Sequence, residues 1–326
     1  MIYASIPGLL PDAVVAHALH RESRVWPSAN CYVDLWIEVL SALGLEPHAM
    51  LSHALRSDFE GDQWTFFKPG ADDLRALYGI EIAELQIWDD AARHVIEQLE
   101  RGRIVLWEVD AYYLPDTAGV SHRQAHVKTT IGVERIDLEA KRLGYFHNAG
   151  YYTLEAADFD ELLYEKRELP LYAELVKLER VETVGELELR RRARQLFVRD
   201  IAYRPAQNPI LDYARGFVRH ADWLADRELE AFHRYAFSSL RQCGAAYELS
   251  ASYLRWLFEN NSIALAAAED FDALAAAAKT AMLKLARAVQ RKQGAELGPL
   301  LEAAWRWDRA FSALARGAAE LGREAA

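Results

Sequence analysis

Cysteine is scarce in this sequence, and long apolar runs are missing. Only Cys31 and Cys243 occur in 326 residues. A chain of this length can bury a core without disulfides, and the two thiols lie in segments of different character, so no pairing is expected. There is no CxxC pattern, which removes structural zinc and thioredoxin-like redox chemistry. Neither GxxxxGK[ST] nor GxGxxG occurs, so the usual phosphate-cradling loops are absent. No stretch approaches the eighteen apolar residues of a membrane span, and no membrane partner is expected. Residues Met1 to Pro11 lack a basic n-region and a small-residue cleavage site. No signal peptide is therefore expected, and the setting is read as cytoplasmic. Positive charge is in deficit, with 38 Lys and Arg against 49 Asp and Glu and a formal net charge of -11. That balance argues against nucleic acid, whose binders neutralise phosphates.

What is present is a globular profile, 52% hydrophobic and 27% charged, in two parts of different texture. Leu35, Trp36, Val39, Leu40 and Leu43 share one helical face, so Asn30 to Leu43 reads as a helix capped by Ser28 or Asn30 and ended by Gly44. Shorter helices are expected over Pro47–Leu55, Ala71–Tyr78 and about Trp88–Arg101. The period then changes. Arg103 to Tyr113, His126 to Arg135 and Arg142 to Asn148 read as strands, the last two joined as an antiparallel hairpin. From about Pro170 onward the pattern is helical, with candidate helices over Glu186–Arg199, Pro209–Asp226, Glu228–Asn260, Ile263–Gln293 and Pro299–Leu321. The fold class expected is α+β: a papain-like domain of helix plus antiparallel sheet over residues 1–168, then an all-α helical bundle over 169–326, with the boundary near Glu165–Pro170.

Cys31 follows Pro27-Ser28-Ala29-Asn30 and leads straight into the apolar helix. A helix N-terminus places N–H groups beside the sulfur, which favours the reactive thiolate and can stabilise an oxyanion. Taken alone, such a cysteine is more often a small core residue. The hairpin shifts that balance. If its turn centres near Leu138, position 128 faces about position 148, and His126 and Asn148 approach each other at one end of the sheet. A nucleophilic cysteine needs a base, and the base needs a group to hold its tautomer. Cys31, His126 and Asn148 supply those roles as a Cys-His-Asn triad, while His147 should point to the opposite face.

This order resembles the papain-like superfamily. More closely, the first half looks like the N-terminal domain of the butirosin biosynthesis protein H family. The stretches that carry this are Asn30-Cys31 opening a helix that ends in Leu-Gly, the Gly102 to Pro115 strand, and His126 leading into Gly132 and then Tyr145-Phe146-His147-Asn148. The whole chain also looks like a bacterial family encoded near amino acid:carrier-protein ligases. Gly61-Asp62-Gln63-Trp64-Thr65-Phe66-Phe67-Lys68 and Arg241-Gln242-Cys243-Gly244-Ala245-Ala246 suggest it. The resemblance implies acyl or aminoacyl transfer from a carrier-protein thioester to an amine acceptor through acyl-Cys31, with His126 moving the proton. It implies no bound cofactor beyond the phosphopantetheine arm that comes with the substrate. Two departures stand out: the butirosin-type pattern has an acidic residue where Asn148 stands, and no glutamine precedes Cys31. A peptidase, amidase or thioester hydrolase would use the same residues, and a module that only binds an acylated carrier is a third reading.

Supporting candidates are fewer. Asp110 is a charge inside an apolar strand and is expected to support the site, with Glu108 on its face. His122 is a fallback base; its spacing to His126 would suit a metal pair only on a helix, so no metal site is expected. Trp64 could line a substrate channel or simply pack, and Asp62 and Gln63 could hold a substrate amine. Arg190, Arg191, Arg192, Arg194 and Arg199 form a basic cluster that would suit an acidic carrier or pair with Glu186 and Glu188.

Overall fold

The computed structural model describes residues 1–10, 14–164 and 172–323, with side chains as far as residue 317. The chain forms two compact units that alternate along the sequence. The first comprises Met1–Arg21, Asn30–Pro47 and Gly70–Val184, and the second Glu22–Ala29, His48–Pro69 and Gly185–Ala326. The boundary expected near Glu165–Pro170 falls outside the described residues.

The first unit is α+β. Its elements are β1 (Ile2–Ala4), α1 (Cys31–Ala42), α2 (Ala71–Tyr78), β2 (Glu81–Glu84), α3 (Ala91–Glu100), β3 (Ile104–Asp110), β4 (Lys128–Asp137), β5 (Arg142–His147), β6 (Gly150–Glu155), α4 (Ala156–Tyr164) and β7 (Ala173–Lys177). Among the described residues seven strands make one sheet in the order β2-β7-β3-β4-β5-β6, with β1 also beside β4. Every pairing is antiparallel. One edge of β4 pairs first with β3 and then with β1, because β3 starts at Ile104 and β1 covers the edge beyond it.

Alternation along the strands gives the sheet two apolar faces. Val105, Trp107, Val109, Ile131, Val133, Leu143 and Tyr145 pack with Val95 and Leu99 of α3 and Phe159 and Leu162 of α4. The other face carries α1. Val33, Leu35, Trp36, Ile37, Val39 and Leu40 of that helix are fully buried, each contributing roughly 1.5–3 kcal/mol over an exposed position. Leu35 approaches Gly132 so closely that a Cβ there would lie 3.3 Å from its methyl group. Gly132 therefore sets how near α1 lies to β4. A bulge between Val133 and Arg135 accompanies Glu134, which is buried and accepts from the Ile6 N–H at 2.9 Å and the Tyr151 hydroxyl at 2.8 Å.

The second unit is helical: α5 (Glu186–Ala202), α6 (Pro209–Ala225), α7 (Leu229–Ala236), α8 (Gln242–Leu257), α9 (Ser262–Arg291) and α10 (Gly298–Arg323). The alanines of α9 expected to allow close packing are buried, among them Ala267, Ala268, Ala275 and Ala278. The helix expected over Glu228–Asn260 runs without a break from Leu229 to Leu257, but not with one hydrogen-bond pattern. A π-helical turn, Phe237–Arg241, separates α7 from α8. The segment Pro47–Arg56 is 3-10 helix. The arginines of α5 are paired: Arg190 with Glu186 and Glu259, Arg191 and Arg192 with Glu188, and Arg199 with the buried Asp200.

Candidate active site

Cys31 is the first residue of α1 and is half-buried. The helix begins there because Asn30, in extended conformation, turns its side-chain oxygen onto the N–H groups of Tyr32 and Val33 at 3.2 and 3.0 Å. Two of the orphan donors of the first turn are thereby satisfied. The neighbouring Tyr32 hydroxyl donates to Glu174 of β7 at 2.7 Å, and Tyr172 donates to the other oxygen of that carboxylate. Glu174 is in register with Leu106 of β3, which faces Gly132 of β4. Tyr32 over β7 and Leu35 over β4 mean that α1 crosses the strands, starting at Cys31.

The end of β3 carries a second arrangement. Asp110 accepts from the Tyr112 and Val127 N–H groups through one carboxylate oxygen, at 3.0 and 3.1 Å. Its other oxygen meets Nδ1 of His126 at 2.6 Å. The imidazole stacks on Tyr112, with centroids 4.5 Å apart and planes 14° apart, and the Arg123 guanidinium lies over that same tyrosine. With Nδ1 donating to Asp110, Nε2 is the nitrogen left to take or give a proton. His126 remains open to solvent, its side chain 70% exposed. Beside it Lys128 pairs with Glu108 at 2.6 Å. The geometry thus joins His126 to Asp110, the supporting residue of the sequence reading.

Asn148 stands elsewhere. Gly132 is opposite Phe146, so the hairpin register carries Asn148 to the level of Thr130, two residues past the pairing read from the sequence. Asn148 occupies the left-handed turn between β5 and β6 with φ 46°, and its amide lies 3.1 Å from the His147 ring. Among the described residues no hydrogen bond joins His126 to Cys31 or to Asn148. His147 does face the other side of the sheet, as alternation requires. It is buried between Asp116 at 2.6 Å and Thr129 at 2.7 Å, and Asp116 also accepts from Tyr145 at 2.6 Å. His122 is committed to Asp158 at 3.1 Å, in a cluster where Arg123 bridges Asp158 and Glu161.

Trp64, Asp62 and Gln63 belong to the second unit. Trp64 is buried among Phe59, Tyr213 and Tyr247, which makes it a packing residue. Asp62 and Gln63 are exposed in the tight turn that joins the bridged residues Phe59 and Trp64.

A buried cluster escaped the sequence reading. Asp34 and Glu38 lie one turn apart on α1, almost wholly buried, and His20 sits between them. Its Nδ1 is 2.5 Å from Glu38 and its Nε2 3.3 Å from Asp34. Burial opposes the imidazolium, but the hydrogen bonds and charges of Asp34 and Glu38 outweigh it and hold the pKa up at about 9. The signal was available: two carboxylates four residues apart inside an otherwise apolar helix need a buried cation nearby.

Family models match the chain in two parts, the DUF1839 N-terminal domain over residues 15–178 and the DUF1839 C-terminal domain over residues 186–316. The first match ends one residue beyond β7, and the second begins at the first residue of α5. A comparison with curated proteins found no match. Among the described residues no helix is long and apolar enough to cross a membrane. Both domains of one family, in order and spanning nearly the whole sequence, mean that this chain belongs to the DUF1839 family.

Proposed function

We propose that Cys31 is the nucleophile of an acyl or aminoacyl transfer from a carrier-protein thioester to an amine, in a cytoplasmic setting. The observation that carries this reading is a half-buried cysteine opening a capped helix on an antiparallel sheet whose β3–β4 end holds a carboxylate-oriented histidine. The resemblance to the butirosin biosynthesis protein H family supplies the substrate class. In the first step the Cys31 thiolate attacks the thioester carbonyl, and the bond from that carbon to the phosphopantetheine sulfur breaks. His126 removes the Cys31 thiol proton and passes it to the leaving sulfur, and the acyl group rests on Cys31 as a new thioester. In the second step the acceptor amine attacks the same carbonyl and Cys31 leaves. Nε2 of His126 takes the amine proton, while Asp110 holds Nδ1 and fixes the ring. The N–H groups at the start of α1 are the donors for the developing oxyanion.

The exposure of His126 favours one second reading, in which water is the acceptor and the protein is a thioester hydrolase or amidase. Mass spectrometry after incubation with aminoacylated carrier protein separates the readings. The transferase leaves an acyl mass on Cys31 that is lost in Cys31→Ser and discharged by an amine. Free acid formed without amine indicates hydrolysis. Equal retention of the carrier by Cys31→Ala and His126→Ala, with no adduct on the parent protein, indicates a binding module and ends the enzymatic reading.

A further inference from the structure

The run Arg241-Gln242-Cys243-Gly244 marks the start of α8, and nothing in the chemistry above uses it. Its role follows from what it touches inside the second unit. Residues 24–29 lie along Arg241 and the face of α8 that carries Gly244, Glu248 and Ser252. Arg241 donates from Nε to the Ala29 carbonyl at 3.0 Å and from a terminal nitrogen to the Ser28 hydroxyl at 2.6 Å. Glu248 accepts from the N–H groups of Val25 and Trp26 at 2.9 and 2.8 Å. Arg24 donates to Ser252 at 3.0 Å. The Trp26 indole donates to the Ala275 carbonyl at 3.0 Å and carries Lys279 over its ring. It rests on Gly244, where a Cβ would stand 2.3 Å from the indole nitrogen. Only glycine leaves that space.

The π-helical turn Phe237–Arg241 ends at the gripping arginine, whose guanidinium also lies over Phe237. Such turns are rare inside α-helices and recur at functional sites. The gripped segment ends at Ala29, and the next two residues are Asn30, which caps α1, and Cys31.

We propose that Arg241 and Gly244 are positioning residues for Cys31. They clamp residues 24–29 so that Asn30 enters α1 in its capping conformation and the thiol is held at an ordered helix start. This deepens the reading of Cys31 as the reactive residue and rests on it, but its test needs no acyl donor.

Arg241→Gln, Arg241→Lys and Ser28→Ala are compared with the parent protein by hydrogen exchange, by iodoacetamide alkylation of Cys31 at one pH, and by thermal unfolding. In Arg241→Gln, exchange across residues 24–33 rises by about tenfold. Alkylation slows by about threefold, because a frayed helix start no longer holds its N–H groups beside the sulfur. The unfolding temperature stays within about 3 °C. Arg241→Lys, which keeps one donor, restores part of both effects. Ser28→Ala removes one of the two grips, shows the smaller change, and decides the matter if Arg241→Gln does not fold. Unchanged exchange overturns the clamp, and raised exchange with unchanged alkylation overturns its role at Cys31. Absence of an acyl adduct with carrier protein leaves these readouts where they are, so the two readings fail separately.

Discussion

His20 and His126 sit in the same unit, and each is held by carboxylates, but the two environments do opposite things. His20 is sealed under α1 with both ring nitrogens engaged by Asp34 and Glu38. It has no nitrogen left for a substrate, and its charge serves to make two buried carboxylates tolerable. His126 has one nitrogen on Asp110 and the other facing water. Its contact with Asp110 adds little stability at that exposure, but it fixes the ring and leaves the second nitrogen open. A histidine beside a carboxylate is thus a structural charge when both nitrogens are buried, and a chemical group when one is left free.

The comparison breaks or sharpens by experiment. His20→Ala leaves two buried carboxylates without their cation and is expected to cost about 3–5 kcal/mol in urea unfolding; a loss under about 1 kcal/mol would make His20 no different from a surface histidine. The pH dependence has a definite sign. The folded pKa of about 9 lies above the ordinary 6.5, so the stabilisation is full below about pH 6.5 and is lost as pH rises through about 9. It amounts to about 3 kcal/mol. Thermal unfolding followed from pH 6 to pH 10 should show this decline, and the His20→Ala protein should lack it. Asp110→Asn is expected to slow acylation of Cys31 at least tenfold, about 1.4 kcal/mol, while moving urea unfolding by under about 1 kcal/mol. Loss of stability without loss of rate would place His126 with His20. Asn148→Gly should do least. Its φ of 46° suits glycine, so stability should move by a few tenths of a kcal/mol and acylation should stay as it was; a tenfold fall in acylation would return the orienting role to Asn148.

Local signals in the sequence were strong where one segment fixed its own structure. Asn30 before an apolar run marked α1 and its cap, and the strands read over Arg103–Tyr113 from composition and His126–Arg135 from alternation are β3 and β4. Pairing across distance was less visible. The hairpin was recognised, but its register came out two residues away, which moved Asn148 from His126 to His147. Short edge strands such as β1 and β2 carry too few residues for a period to show. Residues 22–29 and 48–69 gave no local sign of joining the helical unit, because what holds them is distant: Glu248 and Gly244 for Trp26, Tyr213 and Tyr247 for Trp64. The Asp110–His126 pair was half legible, since Asp110 was singled out as a charge needing a partner but not matched to its histidine.

The alternation of the two units along the chain has a practical meaning. The polypeptide passes from one unit to the other at Arg21/Glu22, Ala29/Asn30, Pro47/His48, Pro69/Gly70 and Val184/Gly185. Only the last of these looks like a place to cut. A fragment beginning at Gly185 would leave behind Trp26 and Trp64 and expose the apolar surface they fill. A fragment ending at Val184 would carry both indoles with nowhere to bury them. Truncation at the apparent domain border therefore yields two sticky pieces, and the half that carries Cys31 and His126 is to be expressed, folded and assayed only as part of the intact chain.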